Sequence, residues 1–177
     1  MTRHILSQYR NAAPEHLATG TEWYDTAFTI TEHLAWRYGR PITHSVVALA
    51  HLSPRITWRK NVEHLEILLS GAPRPLHVMS RSWDAAKAAL EIEDPLSTFS
   101  RRALKTHSFA QAILGDRNAV VIDIWAARAA GVPEDSIRSI HRYHAVADAY
   151  RRGARRIGIA ARELQAVVWC AARGTHE

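Results

Sequence analysis

Lys105 and Asp123, 18 residues apart, are the pair in this sequence best equipped for chemistry. A carboxylate beside a carbon that gains positive charge stabilises that charge electrostatically, and it can orient or deprotonate an attacking group. A lysine amine whose surroundings lower its pKa can attack an electrophilic carbon and form a Schiff base. The pattern places Asp123 at the opening of a helix and Lys105 just before another, so the two act together if those helix ends converge. Each residue also has a purely structural use. Aspartate is a favoured helix N-cap, worth about 1 kcal/mol, and a lysine in a basic turn is ordinarily solvated.

The elements that must position this pair read as helices almost throughout. Thr21 is read as the cap of a helix through Trp23, Ala27, Ile30, Leu34 and Trp36, closed by Gly39 and Pro41. A nearly uncharged apolar helix covers about 42–52 and stops at Ser53-Pro54, and a helix over Thr57–Ser70 ends at Gly71. Ser82 is read as the cap of the next, which stops before Asp94-Pro95. A further apolar stripe runs from Thr106 to Leu114, and Ala119–Ile122 is too short to assign between strand and buried loop. The helix opened by Asp123 ends at Gly131, and two more cover about 136–156 and 160–173. No repeat and no sheet-forming alternation is present. The expectation is an all-α chain, 1–177 forming one domain.

Composition narrows the function classes. The chain has 177 residues, 47% hydrophobic and 23% charged, which suits a globular domain with its own core. One cysteine, Cys170, excludes an internal disulfide, a four-cysteine zinc site and a four-cysteine iron–sulfur site. No apolar run approaches the ~18 residues of a membrane helix, and no secretory signal is visible, so a cytoplasmic protein without a membrane partner is expected. The formal charge of +6 resides entirely in residues 101–177, because residues 1–100 balance ten Lys+Arg against ten Asp+Glu. Such asymmetry suits an anionic partner, commonly nucleic acid, and suits a solubilising arginine-rich face equally well.

Several segments together resemble the helix-hairpin-helix (HhH-GPD) superfamily of base-excision DNA glycosylases. Leu104-Lys105-Thr106 followed by Val121-Ile122-Asp123-Ile124-Trp125 resembles the family's hairpin end and catalytic-aspartate segment, with the lysine–aspartate spacing of its endonuclease III branch. Leu52-Ser53-Pro54-Arg55-Ile56-Thr57 with Asn61 resembles a degraded form of the early Leu-Ser-x-Gln-x-Thr block, and Gln165 to Arg173 resembles the late helix. The resemblance spans about 45–173 and leaves 1–44 without an assigned role. The departures are specific. The hairpin glycines that bring backbone N–H groups to a DNA phosphate are replaced by Phe99-Ser100-Arg101-Arg102-Ala103, Pro54 stands in place of the gap-filling glutamine, Ala172 in place of a glycine, and the cluster cysteines are missing.

The resemblance implies a compact helical fold of two lobes around a cleft. It further implies an enzyme acting on the N-glycosidic bond of a damaged or modified base flipped out of DNA, since neither C1′ nor the base edges are accessible inside the stack. Asp123 is then the catalytic carboxylate and Lys105 a candidate nucleophile with lyase activity. Arg101, Arg102, Thr106, Arg151, Arg152, Arg155 and Arg156 form the candidate DNA-binding set, with Pro54, Trp58 and Trp125 candidates for the base pocket or wedge. Tyr143, Tyr150 and Trp169 are expected to pack the C-terminal helices together. No cofactor and no metal is expected: His141, His144 and Asp148 share a helix face, but eleven histidines make such a coincidence cheap. Two alternatives remain, a glycosylase-fold enzyme of viral DNA base hypermodification and a non-catalytic DNA-binding module.

Overall fold

The computed structural model describes residues 1–174, and every regular element among them is helical. In chain order these are α1 (Thr2–Arg10), α2 (Pro14–Arg37), α3 (Ile42–Leu52), α4 (Trp58–Leu69), α5 (Ser80–Ala89), α6 (Leu104–Ile113), α7 (Ile124–Ala129), α8 (Ile140–Ile157) and α9 (Ala161–Arg173). Short 3-10 turns at Pro95–Thr98 and Glu134–Arg138 precede α6 and α8. The fold is all-α. No helix among the described residues is long and apolar enough to cross a membrane. Contacts gather the described residues into two compact units, one of Met1–Thr26 with 115–174, the other of Ala27–Leu114, so that α2 contributes to both.

The second unit is built around α3. This helix carries no Asp, Glu, Lys or Arg, and Val46, Val47, Ala48, Leu49 and Ala50 are all fully buried. A helix apolar on every side must be enclosed on every side. It is surrounded by α4, α5, α6 and the Pro95–Thr98 turn, which bring in Leu65, Leu68 and Leu69, Trp83, Ala86 and Ala89, and Ala110 and Ile113.

The first unit packs α1, α7, α8 and α9 together. Tyr143, Val146, Ala147, Tyr150 and Ala154 form the buried stripe of α8 at helical spacing, against α1 with Ile5 and Leu6 and α9 with Leu164 and Val167. The Ala119–Ile122 run is buried and belongs to no strand. Buried backbone polar groups without a ladder need other partners. Tyr143 supplies them: its hydroxyl donates to the Val120 carbonyl and accepts from the Ile122 N–H, both at 3.2 Å.

Four helix starts differ from the sequence expectation. The first is that α6 begins at Leu104 rather than Thr106, so Lys105 lies in its first turn and not just before it. Thr21 lies inside α2, where its hydroxyl donates to the Leu17 carbonyl at 2.8 Å. The helix starts instead at Pro14, a residue suited to the first turn because its missing N–H has no helical partner there. Ser82 likewise lies within α5, which begins at Ser80. The helix expected from about 136 begins at Ile140, the preceding residues forming the 3-10 turn.

Candidate active site

Asp123 is the N-cap of α7, and its Oδ1 accepts from the Ala126 N–H at 2.9 Å. Its other oxygen is engaged from a distant part of the chain: the Trp169 indole N–H, on α9, donates to Oδ2 at 2.9 Å. The carboxylate is thus clamped from two helices. An ionised carboxylate offers about four lone-pair sites, so about two remain for water or a substrate. Asp123 is half-buried rather than sealed.

Aromatic groups surround it within the same unit. The Trp23 and Trp169 rings meet edge-on at 6.2 Å, and the Arg173 guanidinium lies 4.9 Å over the Trp169 ring. Tyr24 donates its phenolic proton to Gln165 Oε1 at 2.5 Å. Burial, and then the negative charge of Asp123, push the Tyr24 phenol well above its ordinary range. The same two causes raise Tyr150, whose hydroxyl donates to the Ala126 carbonyl at 2.9 Å. Both phenols therefore stay neutral beside the carboxylate and act as fixed dipoles. Burial also raises the Cys170 thiol, which leaves it a poor nucleophile.

Trp169 and Tyr24 are the site residues that sequence reasoning missed. Packing was the expected role of Trp169, yet its indole N–H holds the carboxylate. Tyr143 and Tyr150 are buried, as the packing role requires. Nothing local signals the Trp169 bond, because its partner lies 46 residues away.

Lys105 and Asp123 belong to different units. Lys105 is exposed in the first turn of α6, beside exposed Arg101 and Arg102, and the Thr106 hydroxyl donates back to the Ala103 carbonyl at 3.1 Å. Phe99, at the start of this stretch, stacks on His51 at 4.3 Å and meets His107 at 5.4 Å. His51 Nε2 is 2.8 Å from the Thr98 hydroxyl, and burial pushes this imidazole down to about 4. Because the folded form prefers the neutral ring, the stabilisation is complete above the ordinary value of 6.5 and is lost as pH falls toward 4. Denaturant stability should drop by about 1 kcal/mol between pH 7 and pH 5 through this group, water around the half-buried ring screening part of the effect. Urea titrations of His51→Gln should show a correspondingly flatter pH dependence; an unchanged slope would remove His51 as its source.

The remaining candidates are placed as follows. Pro54 is half-buried in the turn between α3 and α4, next to Arg55, whose φ of 64° is left-handed and costs a side-chain-bearing residue about 1–2 kcal/mol. Trp58 opens α4 and is half-buried. Trp125 is also half-buried, with the Arg128 guanidinium 4.9 Å over its ring. On α8, Arg152, Arg155 and Arg156 are exposed. Arg151 is committed within the protein, donating to the Asn118 carbonyl at 2.9 Å and to Asp148 at 2.8 Å. His141, His144 and Asp148 are exposed, and among the described residues no group of three or more His, Cys, Asp or Glu side chains could hold a metal ion.

Fold and site define an all-α protein with a half-buried carboxylate clamped between two helices. The chain belongs to a family of unknown function, DUF7178, whose family model matches residues 1–176. No curated protein and no solved structure matches it.

Proposed function

We propose that this chain is a DNA glycosylase-like enzyme acting on the N-glycosidic bond of a flipped damaged or modified base, and that residues 45–173 form a divergent HhH-GPD fold. The observation that carries this reading is the Asp123 carboxylate: it opens a helix, is held by two N–H donors and keeps lone pairs free. Cleavage of the glycosidic bond builds positive charge on the sugar, and a carboxylate fixed in advance stabilises that charge without reorganising during the reaction. The partner is DNA, no cofactor is required, and the location is cytoplasmic. An enzyme of base hypermodification on the same scaffold is the second reading. The absence of glycine from Phe99–Ala103 supports it, because phosphate contact there must come from the exposed Arg101 and Arg102 side chains rather than from a backbone cradle.

DNA affinity tests the partner. Three phosphate contacts, from Arg152, Arg155 and Arg156 of α8, predict a roughly 40-fold loss of affinity between about 50 and 200 mM salt, and contacts by Arg101 and Arg102 would each steepen it. Each Arg→Ala change at these positions should reduce the salt slope by about 1. Arg151→Ala should alter it least, since its guanidinium is already engaged. Fluorescence anisotropy with labelled duplex and single-stranded DNA reads all of this; salt-independent binding, or none in low salt, would refute the assignment.

A further inference from the structure

The face of α4 that carries Asn61 and His64 is unusual for a buried surface. Both residues are buried, at 2% and 3% exposure, and neither Asn61 Oδ1 nor His64 Nδ1 has a hydrogen-bond partner among the described residues. His64 Nε2 lies 3.0 Å from Nε2 of His77, an exposed residue of the connection between α4 and α5. The two rings are 5.1 Å apart and tilted by 49°.

Two imidazole nitrogens at this distance require one proton between them, one ring donating and the other accepting. A proton on Nδ1 of His64 would be a buried donor with nothing to bond, so this ring carries its proton on Nε2 and donates to the bare Nε2 of His77. The exposed His77 can give its own Nδ1–H to water. A second proton has no good place. On His77 it removes the acceptor and sets two N–H groups against each other; on His64 it creates a buried cation.

We propose that His64 and His77 form a proton-operated latch, holding the α4–α5 connection onto α4 while the pair shares one proton and releasing it when the pair takes up a second. The rest of the connection is lightly held. Val78 is its buried anchor, with its N–H bonded to the Pro75 carbonyl at 3.0 Å and its carbonyl accepting from Arg74, while Leu76 is 98% exposed. Opening also gives water to a poorly satisfied imidazole.

The charges around the pair support this sense of operation. Burial lowers His64 first, His77 lowers it further, Lys60 adds to this and Glu63 opposes it. On neighbouring α3, His44 faces the Ile92 carbonyl and His51 the Thr98 hydroxyl, Arg37 and Tyr38 at the end of α2 both bond Glu66, and on α5 Arg81, Asp84 and Lys87 are exposed to solvent. The latched form therefore binds fewer protons than the released form. It holds above the ordinary histidine value of 6.5 and weakens as pH falls below it.

Hydrogen exchange on the full chain tests the latch at the Val78 amide. After correction for intrinsic rates, its protection should fall several-fold on going from pH 7.5 to pH 5.5, because the latched pair binds fewer protons than the released one. Amides of α3 in the same unit should stay more protected than Val78, which separates local release from the unit-wide effect of His51. His77→Gln keeps an acceptor for the His64 N–H and removes the second titrating ring, leaving only the burial of His64, so its Val78 protection should fall less between the two pH values than that of the wild type. Equal protection in the wild type at both pH values, or a loss in His77→Gln as large as in the wild type, would overturn the proposal.

Discussion

On the proposed glycosylase reading, replacing Asp123 by asparagine is expected to slow base release by roughly 10²- to 10⁴-fold, the cost of losing a carboxylate positioned against developing cationic charge. The substitution is close to isosteric, but it is not silent structurally. Two N–H donors, from Ala126 and Trp169, converge on the two carboxylate oxygens. An asparagine has one oxygen and one NH2 group, so one donor must face another donor. A stability loss of about 1–2 kcal/mol should accompany the catalytic loss, with the helical circular-dichroism signal unchanged. DNA affinity should be largely retained, because the cationic side chains are untouched. Lys105 divides the mechanism further. As a nucleophile it forms an imine that borohydride traps as a protein–DNA adduct, and Lys105→Ala abolishes both adduct and strand cleavage. As a positioning group it yields no adduct, and Lys105→Ala only partly reduces release. Substrate panels must include damaged and hypermodified bases. If the wild type releases a base and Asp123→Asn releases it equally fast, Asp123 is not the catalytic carboxylate.

How far these features could be read from the sequence depended on the range of the interaction that creates them. The span of α3 was legible because its apolar run is bounded by Pro41 and by Ser53-Pro54, and Thr57 marks the start of α4 by accepting from the Lys60 N–H. The capping role of Asp123 was legible for the same reason, since its partner Ala126 is three residues away. α1 was not legible. Its only buried side chains are Ile5 and Leu6, and the surfaces that bury it belong to α7, α8 and α9 at the other end of the chain. The site shows the same division: a cap is local, whereas the Trp169 clamp and the Tyr24–Gln165 bond span 46 and 141 residues. Charge was legible in total but not in availability. Arg151 resembles its neighbours in sequence, and only the fold commits its guanidinium to Asn118 and Asp148.

Gly20→Ala is expected to cost about 3 kcal/mol of stability, although alanine is the better helix former by about 1 kcal/mol. Gly20 lies inside α2, at the place where the sequence suggested that the helix had not yet begun. A Cβ added there would sit 2.4 Å from Val167 Cα and 2.6 Å from Val167 N, on the backbone of α9. Backbone atoms cannot rotate away, so α2 and α9 would have to separate. Gly153 provides the contrast, because a Cβ there meets first the Cδ2 of Leu164 at 3.0 Å, the flexible end of a side chain. Gly153→Ala should therefore cost less than about 1 kcal/mol once helix propensity is included. Val167→Ala should not rescue Gly20→Ala, since it removes only the Cγ2 contact at 2.8 Å and leaves both backbone clashes in place. Urea denaturation of the three single variants and the double mutant decides the matter, and full rescue by Val167→Ala would place the clash in the side chain alone. The consequence reaches the site. Trp169 follows Val167 by two residues on α9, so any displacement of α9 at Gly20 also loosens the indole N–H from Asp123. Where Gly20→Ala remains folded, base release should fall together with stability, while Gly153→Ala should leave it near the wild-type rate.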